Sequence, residues 1–340
     1  MTEQLKLKLN DSKATRWGAL VIVAFTMMAA YYVNDVVAPL KTMLETDLAW
    51  SSTDFGFFTG GYSFLNVFFL MLIWGGLILD RFGIRFTGKL ATILMVGGTA
   101  LEYYAMTGLA GADATLFGIN EIFGYKTGVF VAFAGYSIFG VGAEVAGITV
   151  SKIIAKWFKG KELATAMGVQ VALARIGSQA GYAVAIPLAR AFGISTPVLL
   201  GLVLLLGGMI AFFIFAVMDK KLDKQMEAAA IAAGTEDEEE KFSFKDVKNI
   251  LVNPGFWLIA LLCVLFYSCV FPFQKFASEL MIIKYGINEN VAGTFAGLPA
   301  LGALILTPVF GGFIDKRGKS ASIMPVSYTH LRAHETKANL

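Results

Sequence analysis

Histidine is nearly absent. The 340-residue sequence has two, His330 and His334, both at its C-terminal end. The rest of the chain offers no imidazole, which argues against a zinc enzyme or a Ser-His-Asp hydrolase. Cysteine is as scarce. Cys263 and Cys269 lie in one apolar run, with neither a disulfide framework nor metal-ligand spacing. Charge is thin as well: Asp, Glu, Lys and Arg make up 16% of the residues, against about a quarter in a soluble domain. The 28 basic and 25 acidic residues leave a net charge of +3, too little for a nucleic-acid partner. No nucleophile–base pattern is found. Catalytic residues, a cofactor, a metal and a nucleic-acid partner are therefore not expected.

What is present is apolar. Hydrophobic residues make up 56% of the chain, and the mean hydropathy is +0.66. A water-soluble chain of this length could not hide so much apolar surface, whereas a bilayer can. A membrane-crossing helix needs about 20 mostly apolar residues. Eight stretches qualify: 17–42, 51–79, 86–109, 127–154, 162–189, 195–217, 255–282 and 288–313. They are long and lack period-2 alternation, and an open sheet cannot cross a bilayer. The first follows Lys6, Lys8, Lys13 and Arg16 but exceeds a signal-peptide core of about 7–15 residues. The expected fold class is an all-α, multi-pass membrane protein.

Lysine and arginine placement predicts its orientation. One set of flanks carries twenty basic residues, from Lys6 through Arg81, Lys152 and Lys220 to Lys319, and the opposite set has only Lys41, Lys126, Arg190 and Lys284. The richer set is expected in the cytoplasm, together with the N-terminus. A bacterial inner (plasma) membrane is the expected location.

The spans group unevenly. Residues 1–217 hold six and form the expected first bundle. Residues 218–254 form a cytoplasmic linker, alanine-rich and then acidic through Glu236–Glu240. It is expected to be mobile or marginally helical in the middle. A short surface helix should follow, with Ser243 and Asp246 as its cap and Asn253-Pro254 as its stop. Residues 255–325 give a partial second bundle of two spans and the start of a third.

Two loops repeat one pattern. After span two comes Gly76-x3-Asp80-Arg81-x-Gly83-x-Arg85. After span eight comes Gly311-x3-Asp315-Lys316-x-Gly318-Lys319. Glycine permits a tight turn, and an aspartate beside basic residues can change partners as bundles rock. The loops occupy equivalent places if each bundle has six spans.

Ionisable residues inside spans are expensive and point to function. Glu144 lies roughly 15 Å from the inner end of span four and Arg175 roughly 20 Å into span five. Both are near the midplane of a core about 30 Å thick. Two readings fit. The acid and the guanidinium could clasp the two ends of a zwitterion, or they could form a structural salt bridge. Asp35, Glu102, Lys275 and Glu279 lie nearer the outside, which suits rim or gate roles, coupling, or plain packing. Lys275 and Glu279 are four apart and can pair on one helix face. Tyr31, Tyr32, Tyr62 and Tyr136 could line a cavity or fill the core. The spacings Gly56/Gly60, Gly177/Gly181 and Gly293/Gly297 allow close helix approach.

The repeated loop resembles the signature of the major facilitator superfamily, which implies that fold: a complete first six-helix bundle and part of a second. Resemblance makes the loop residues Gly76, Asp80, Arg81, Gly83, Arg85, Asp315, Lys316 and Gly318 a gating latch. Ile84 stands where the commoner pattern has a basic residue, leaving Arg85 as the basic partner. Further segments are more specific: Tyr62-Ser-Phe-Leu-Asn66, Trp157-Phe-Lys-Gly-Lys-Glu-Leu163, Ala174-Arg-Ile-Gly-Ser178 and Val270-Phe-Pro-Phe273. These resemble the lysosomal dipeptide transporter branch and its bacterial relatives. The resemblance implies movement of small zwitterions, dipeptides foremost, by a uniporter-like alternating-access mechanism. It implies that Glu144 and Arg175 contact the substrate's charged ends. From the residues themselves, Tyr31 and Tyr62 are candidate substrate-binding side chains beside them, and Asp35 and Glu102 candidate coupling or gate residues. The same fold carrying an organic anion or sugar derivative, proton-coupled through Asp35 or Glu144, is an alternative. A receptor that binds without transporting is another.

The last residues fit nothing before them. From 326 the sequence reads Val-Ser-Tyr-Thr-His-Leu-Arg-Ala-His-Glu-Thr-Lys-Ala-Asn-Leu, where a ninth span is expected. Residues 326–340 resemble translated adapter sequence rather than native chain, which would leave spans nine to twelve missing. A genuine short polar end is the other reading.

Overall fold

A computed structural model describes residues 8–110, 114–233 and 251–317. Of the expected surface helix after Phe242 only its end is described, where Leu251 and Val252 are helical and Asn253 is not; its earlier residues, and residues 318–340 with Gly318 of the second latch loop and the start of a ninth span, lie outside the described residues.

Among the described residues, the regular elements are helices apart from a hairpin of two-residue strands. In chain order the elements are α1 Lys13–Val36, a 3-10 turn Ala38–Leu40, α2 Lys41–Asp47, α3 Ser52–Phe68 and α4 Met71–Thr107. Then come β1 Glu121–Ile122, β2 Tyr125–Lys126, α5 Thr127–Trp157, α6 Leu163–Phe192 and α7 Thr196–Ala233. Last are α8 Pro254–Tyr285, α9 Glu289–Ala296 and α10 Leu298–Arg317. Each of the eight expected stretches is helical. Among the described residues, five helices are long and apolar enough to cross a membrane, or six if the bent pair α3 and α4 counts as one. α6 is not one of them, since Gln170, Arg175 and Gln179 interrupt its apolar run.

Helix starts follow from local chemistry. Ser12 caps α1 by accepting from the Thr15 N–H at 3.4 Å. Ser51 and Asp54 form a reciprocal capping box on α3, satisfying two of the amides a helix start leaves open. Asn253 caps α8 with Pro254 at the first position, where a missing N–H costs nothing.

Three boundaries differ from the sequence expectation. Span two is not one helix. It breaks at Phe69–Leu70, where Leu70 adopts φ 52° and ψ 38°, and α3 and α4 meet at 58°. Bulky apolar residues surround the break, with no glycine or proline to mark it. Span eight is split into α9 and α10. Pro299, near the start of α10, has no N–H to give the Phe295 carbonyl, so the helical ladder is cut there. Span six continues to Ala233, well past the expected end at 217. Within α4 the expected turn of the first latch loop contracts to one non-helical residue, Gly83, at φ 75° and ψ 173°, a conformation that favours glycine.

The first six spans form one core. α5 packs on α3 and α4, α1 on α6 and α7, and α7 closes onto α4. Trp157, Tyr32, Tyr136, Phe55, Phe58 and Phe139 are fully enclosed. α6 also borders α9 and α10, so it faces both parts of the chain. Its glycines explain how. A Cβ on Gly177 would lie 1.9 Å from the Met28 carbonyl oxygen of α1, and one on Gly293 would lie 2.2 Å from that of Tyr182 on α6. Gly56 and Gly60, by contrast, face open space, so that spacing makes no helix contact. Because Met28 contributes backbone at the clash, α1 must move to admit a methyl group at Gly177. Gly177→Ala is expected to cost about 1–3 kcal/mol, read as a lowered unfolding midpoint in detergent; an unchanged midpoint would refute the tight contact.

Candidate solute-binding site and its closure

The helix ends define two faces. One, here the basic end, holds the start of α1, Gly83 and the junction of α5 and α6. The other, the far end, holds α2, the β-hairpin and the turn from α8 into α9.

Near mid-depth the two predicted charges stand apart. Glu144 on α5 accepts a hydrogen bond from the Tyr62 hydroxyl of α3 at 2.7 Å. The Arg175 guanidinium on α6 lies 5.2 Å from the centre of the Tyr31 ring on α1. Both charged side chains are half-buried. Among the described residues they form no ion pair with each other, so the structural salt-bridge reading is not realised. The Tyr31 ring thus borders the Arg175 charge. Its neighbour Tyr32 points the other way, donating to the Pro197 carbonyl at 3.2 Å from a fully buried position. Of that tyrosine pair, Tyr31 borders Arg175 and Tyr32 belongs to the core.

One helical turn from Tyr31 toward the far end, Asn34 and Asp35 meet the second part of the chain. Lys275 of α8 donates to the Asn34 carbonyl at 2.6 Å and to the Tyr136 hydroxyl at 3.1 Å, and lies 4.0 Å from Asp35 Oδ1. Tyr136 in turn donates toward the Asn34 carbonyl at 2.8 Å, and Asn34 Nδ2 donates to Asp35 Oδ1 at 2.8 Å. Lys275 and Glu279 do not pair with each other, contrary to their i,i+4 spacing. Glu279 takes Lys41 of α2 at 2.5 Å instead, and Lys41 also holds Glu45 and Ser52, each at 2.9 Å. The reason is burial. Lys41 is 4% exposed and needs anionic partners there more than a helix-surface pair would. Further contacts join the two parts at this end. Tyr182 donates to the Gln274 carbonyl at 3.0 Å, and Arg190 binds both Glu289 and Asn290.

Glu102 is enclosed in the first bundle at 0% exposure. Neither of its carboxyl oxygens has a hydrogen-bond partner among the described residues. It is buried between helices, not on a rim.

At the basic end the latch residues find partners other than those expected. Asp80 pairs with Lys152 of α5 at 2.8 Å, not with Arg85. Arg85 instead crosses to α7, reaching Asp223 at 2.5 Å and Asp219 at 3.5 Å. Lys156 joins both aspartates, and Trp157 Nε1 donates to Asp219 at 3.0 Å. Ile84 explains the exchange: it is apolar and 7% exposed, so the next basic residue falls on the α7 side. Arg81 lies over the Phe82 ring. Gly76 faces open space, so only Gly83 is conformationally required in this loop. Asp315 and Lys316 fall in the last turn of α10.

Sequence reasoning missed Asn34, the Lys41–Glu279 and Arg190–Glu289 pairs, and the acidic pair Asp219/Asp223. The last left a signal, since two aspartates four apart amid Lys220, Lys221 and Lys224 share one helix face. The rest are partners far apart in sequence and left none.

Against known proteins, the family model described as Major Facilitator Superfamily matches residues 17–329. Similar curated proteins include the lysosomal dipeptide transporter MFSD1 of Homo sapiens, 27% identical over 321 residues, covering 90% of this chain and 63% of that protein. The Danio rerio protein of the same name is 26% identical over 327 residues, covering 93% and 65%. That of Pongo abelii is 27% identical over 315 residues, covering 88% and 61%. The chain thus spans under two-thirds of the length of these relatives.

Proposed function

Because the chain belongs to the major facilitator superfamily, we propose that it forms part of a secondary transporter for dipeptides or similar zwitterions. Glu144 takes the substrate ammonium and Arg175 its carboxylate. The observation that carries this reading is that neither charge has an ion-pair partner among the described residues. Each is set against a tyrosine, Tyr62 or Tyr31, and neither neutralises the other. A substrate with both charges supplies the missing partners. An ammonium alone, or an organic anion alone, would leave one of them unanswered. The names of the relatives support the dipeptide reading over an organic anion or a sugar derivative.

The basic end is assigned to the cytoplasm on its lysines and arginines, in a bacterial inner membrane. The far-end contacts of Lys41, Lys275 and Arg190 then close the outer side, with Asp35 as a gate residue. Glu102 is a counter-charge beneath the gate. Asp80, Arg81, Arg85, Asp315 and Lys316 make the cytoplasmic latch, whose first copy works through Lys152 and the α7 aspartates.

The test uses the full-length protein in liposomes. Labelled dipeptide should accumulate to equilibrium without a driving ion, at a rate a pH gradient leaves unchanged. Uptake that needs the gradient would replace uniport with proton coupling. Dipeptide that binds but never crosses would make the protein a receptor.

A further inference from the structure

The segment from α4 into α5 carries two strained phenylalanines. Leu116 and Ile119 exchange backbone hydrogen bonds, both 3.0 Å, across Phe117-Gly118. β1 and β2 pair across Phe123-Gly124. In the first turn φ is 55° at Phe117 and 80° at Gly118; in the second it is 54° at Phe123 and 81° at Gly124. Two successive positive φ values are the type I′ hairpin turn, whose first position favours Asn, Asp or Gly. A bulky residue there is an outlier with an energetic cost. The same costly choice occurs twice within one short segment.

The strain is not repaid by burial within the protein. Phe117 is 96% exposed and Phe123 is 89% exposed. Nor is the hairpin loosely attached. Tyr125 stacks on Phe57 of α3 with ring centres 3.9 Å apart. Lys126 donates to the Ala49 carbonyl at 2.5 Å, and the Thr127 hydroxyl to the Ile119 carbonyl at 2.8 Å. The hairpin is a fixed mount that presents two apolar rings.

What covers them follows from where the mount stands. β2 runs directly into α5, one of the helices long and apolar enough to span a bilayer. The Phe123 ring lies 5.9 Å from that of Phe130 in the first turn of α5, and the contacts continue to Phe133 at 6.1 Å and on to Phe64 of α3 at 5.3 Å. An aromatic stripe thus runs from the hairpin down along the spans. Phe, like Trp and Leu, is among the side chains that bury at the boundary of headgroups and acyl chains in interfacial segments. We propose that Phe117 and Phe123 insert into the headgroup layer of the bilayer at the far end and anchor the first bundle there while the second part moves against it. The occupant is lipid.

The full-length protein with Cys263 and Cys269 replaced by Ala would carry F117C or F123C, labelled with an environment-sensitive dye, in phosphatidylcholine liposomes. Blue-shifted emission is expected at both positions, quenched by headgroup spin-labelled lipid. The same dye at exposed Asp47 of α2 reports water. Water-like emission at either phenylalanine position overturns the proposal. So does a blue shift that spin-labelled lipid leaves unquenched, which would indicate a protein partner. The F117N/F123N variant gives a second reading, because Asn suits the left-handed position and keeps the hairpin. Adding lipid to detergent should raise the unfolding midpoint of the wild type more than that of this variant, and an equal rise overturns the anchor.

Discussion

Dipeptide uptake by the full-length protein is expected to fall roughly 30-fold to 3000-fold on Glu144→Gln or Arg175→Ala, since removing one partner of a buried, hydrogen-bonded charge pair costs about 2–5 kcal/mol. The two losses should be separable by substrate. Glu144→Gln keeps an oxygen for the Tyr62 hydroxyl, which now donates at 2.7 Å, so the helices around it have no reason to move. An N-acetylated dipeptide has no ammonium, and the wild type should already discriminate against it. The acetyl group should then cost the Glu144→Gln variant almost nothing further. Arg175→Lys is expected to recover part of the rate, because it restores the charge but not the planar fork that a carboxylate prefers. Initial rates with free, N-acetylated and C-amidated dipeptides measure all of this, with an unfolding midpoint as the folding control. Normal uptake by both variants would sink the assignment. A lowered midpoint in both, with the acetyl penalty unchanged, would return the pair to a structural role.

How much of this was legible depends on where a residue's partner lies. Glu144 and Arg175 announce themselves, because a charge within an apolar run is costly and rare. Their depth follows from helix rise alone. That they do not pair is a matter of side-chain direction, which no spacing conveys. Gly83 was legible for a local reason: a tight turn asks for glycine. The break at Leu70 was not, because a left-handed leucine between Phe69 and Met71 reflects the packing of α3 and α4 rather than its own preference. The partners of the first latch loop misled in an instructive way. Asp80 and Arg85 are neighbours in sequence but diverge in space, one to α5 and the other to α7. The pair Lys275 and Glu279 misled similarly. An i,i+4 pair is worth only about 0.2–0.5 kcal/mol, and the partners that the first bundle offers, the Lys41 ammonium for Glu279 and the Asn34 carbonyl for Lys275, outweigh it.

Those contacts make the far-end closure the second place where a large effect is expected. Lys41 and Lys275 are the two buried or half-buried cations that bridge the parts of the chain, one through Glu279 and the other through the Asn34 carbonyl and Tyr136. A hydrogen bond to a charged group contributes about 1.5–3 kcal/mol. To the extent that the two sites act independently, the K41A/K275A double variant should lose about 3–6 kcal/mol of closure, roughly 10²-fold to 10⁴-fold in the equilibrium. Moving a population from 1:99 to 99:1 takes about 5.5 kcal/mol, so the double variant should populate a form open at the far end, while each single variant should fall between. Spin labels at D47C on α2 and K284C on α8, in the full-length protein without its native cysteines, read the separation directly. A longer distance in the double variant, with slower net uptake because the far end no longer closes over the substrate, is the expected result. Arg190–Glu289 remains to oppose it, but that pair is exposed on both sides, and exposed pairs contribute about 0–1 kcal/mol. An unchanged distance would mean that packing, such as the contact of Phe55 with Phe276, holds the two parts together and that the cations only decorate it.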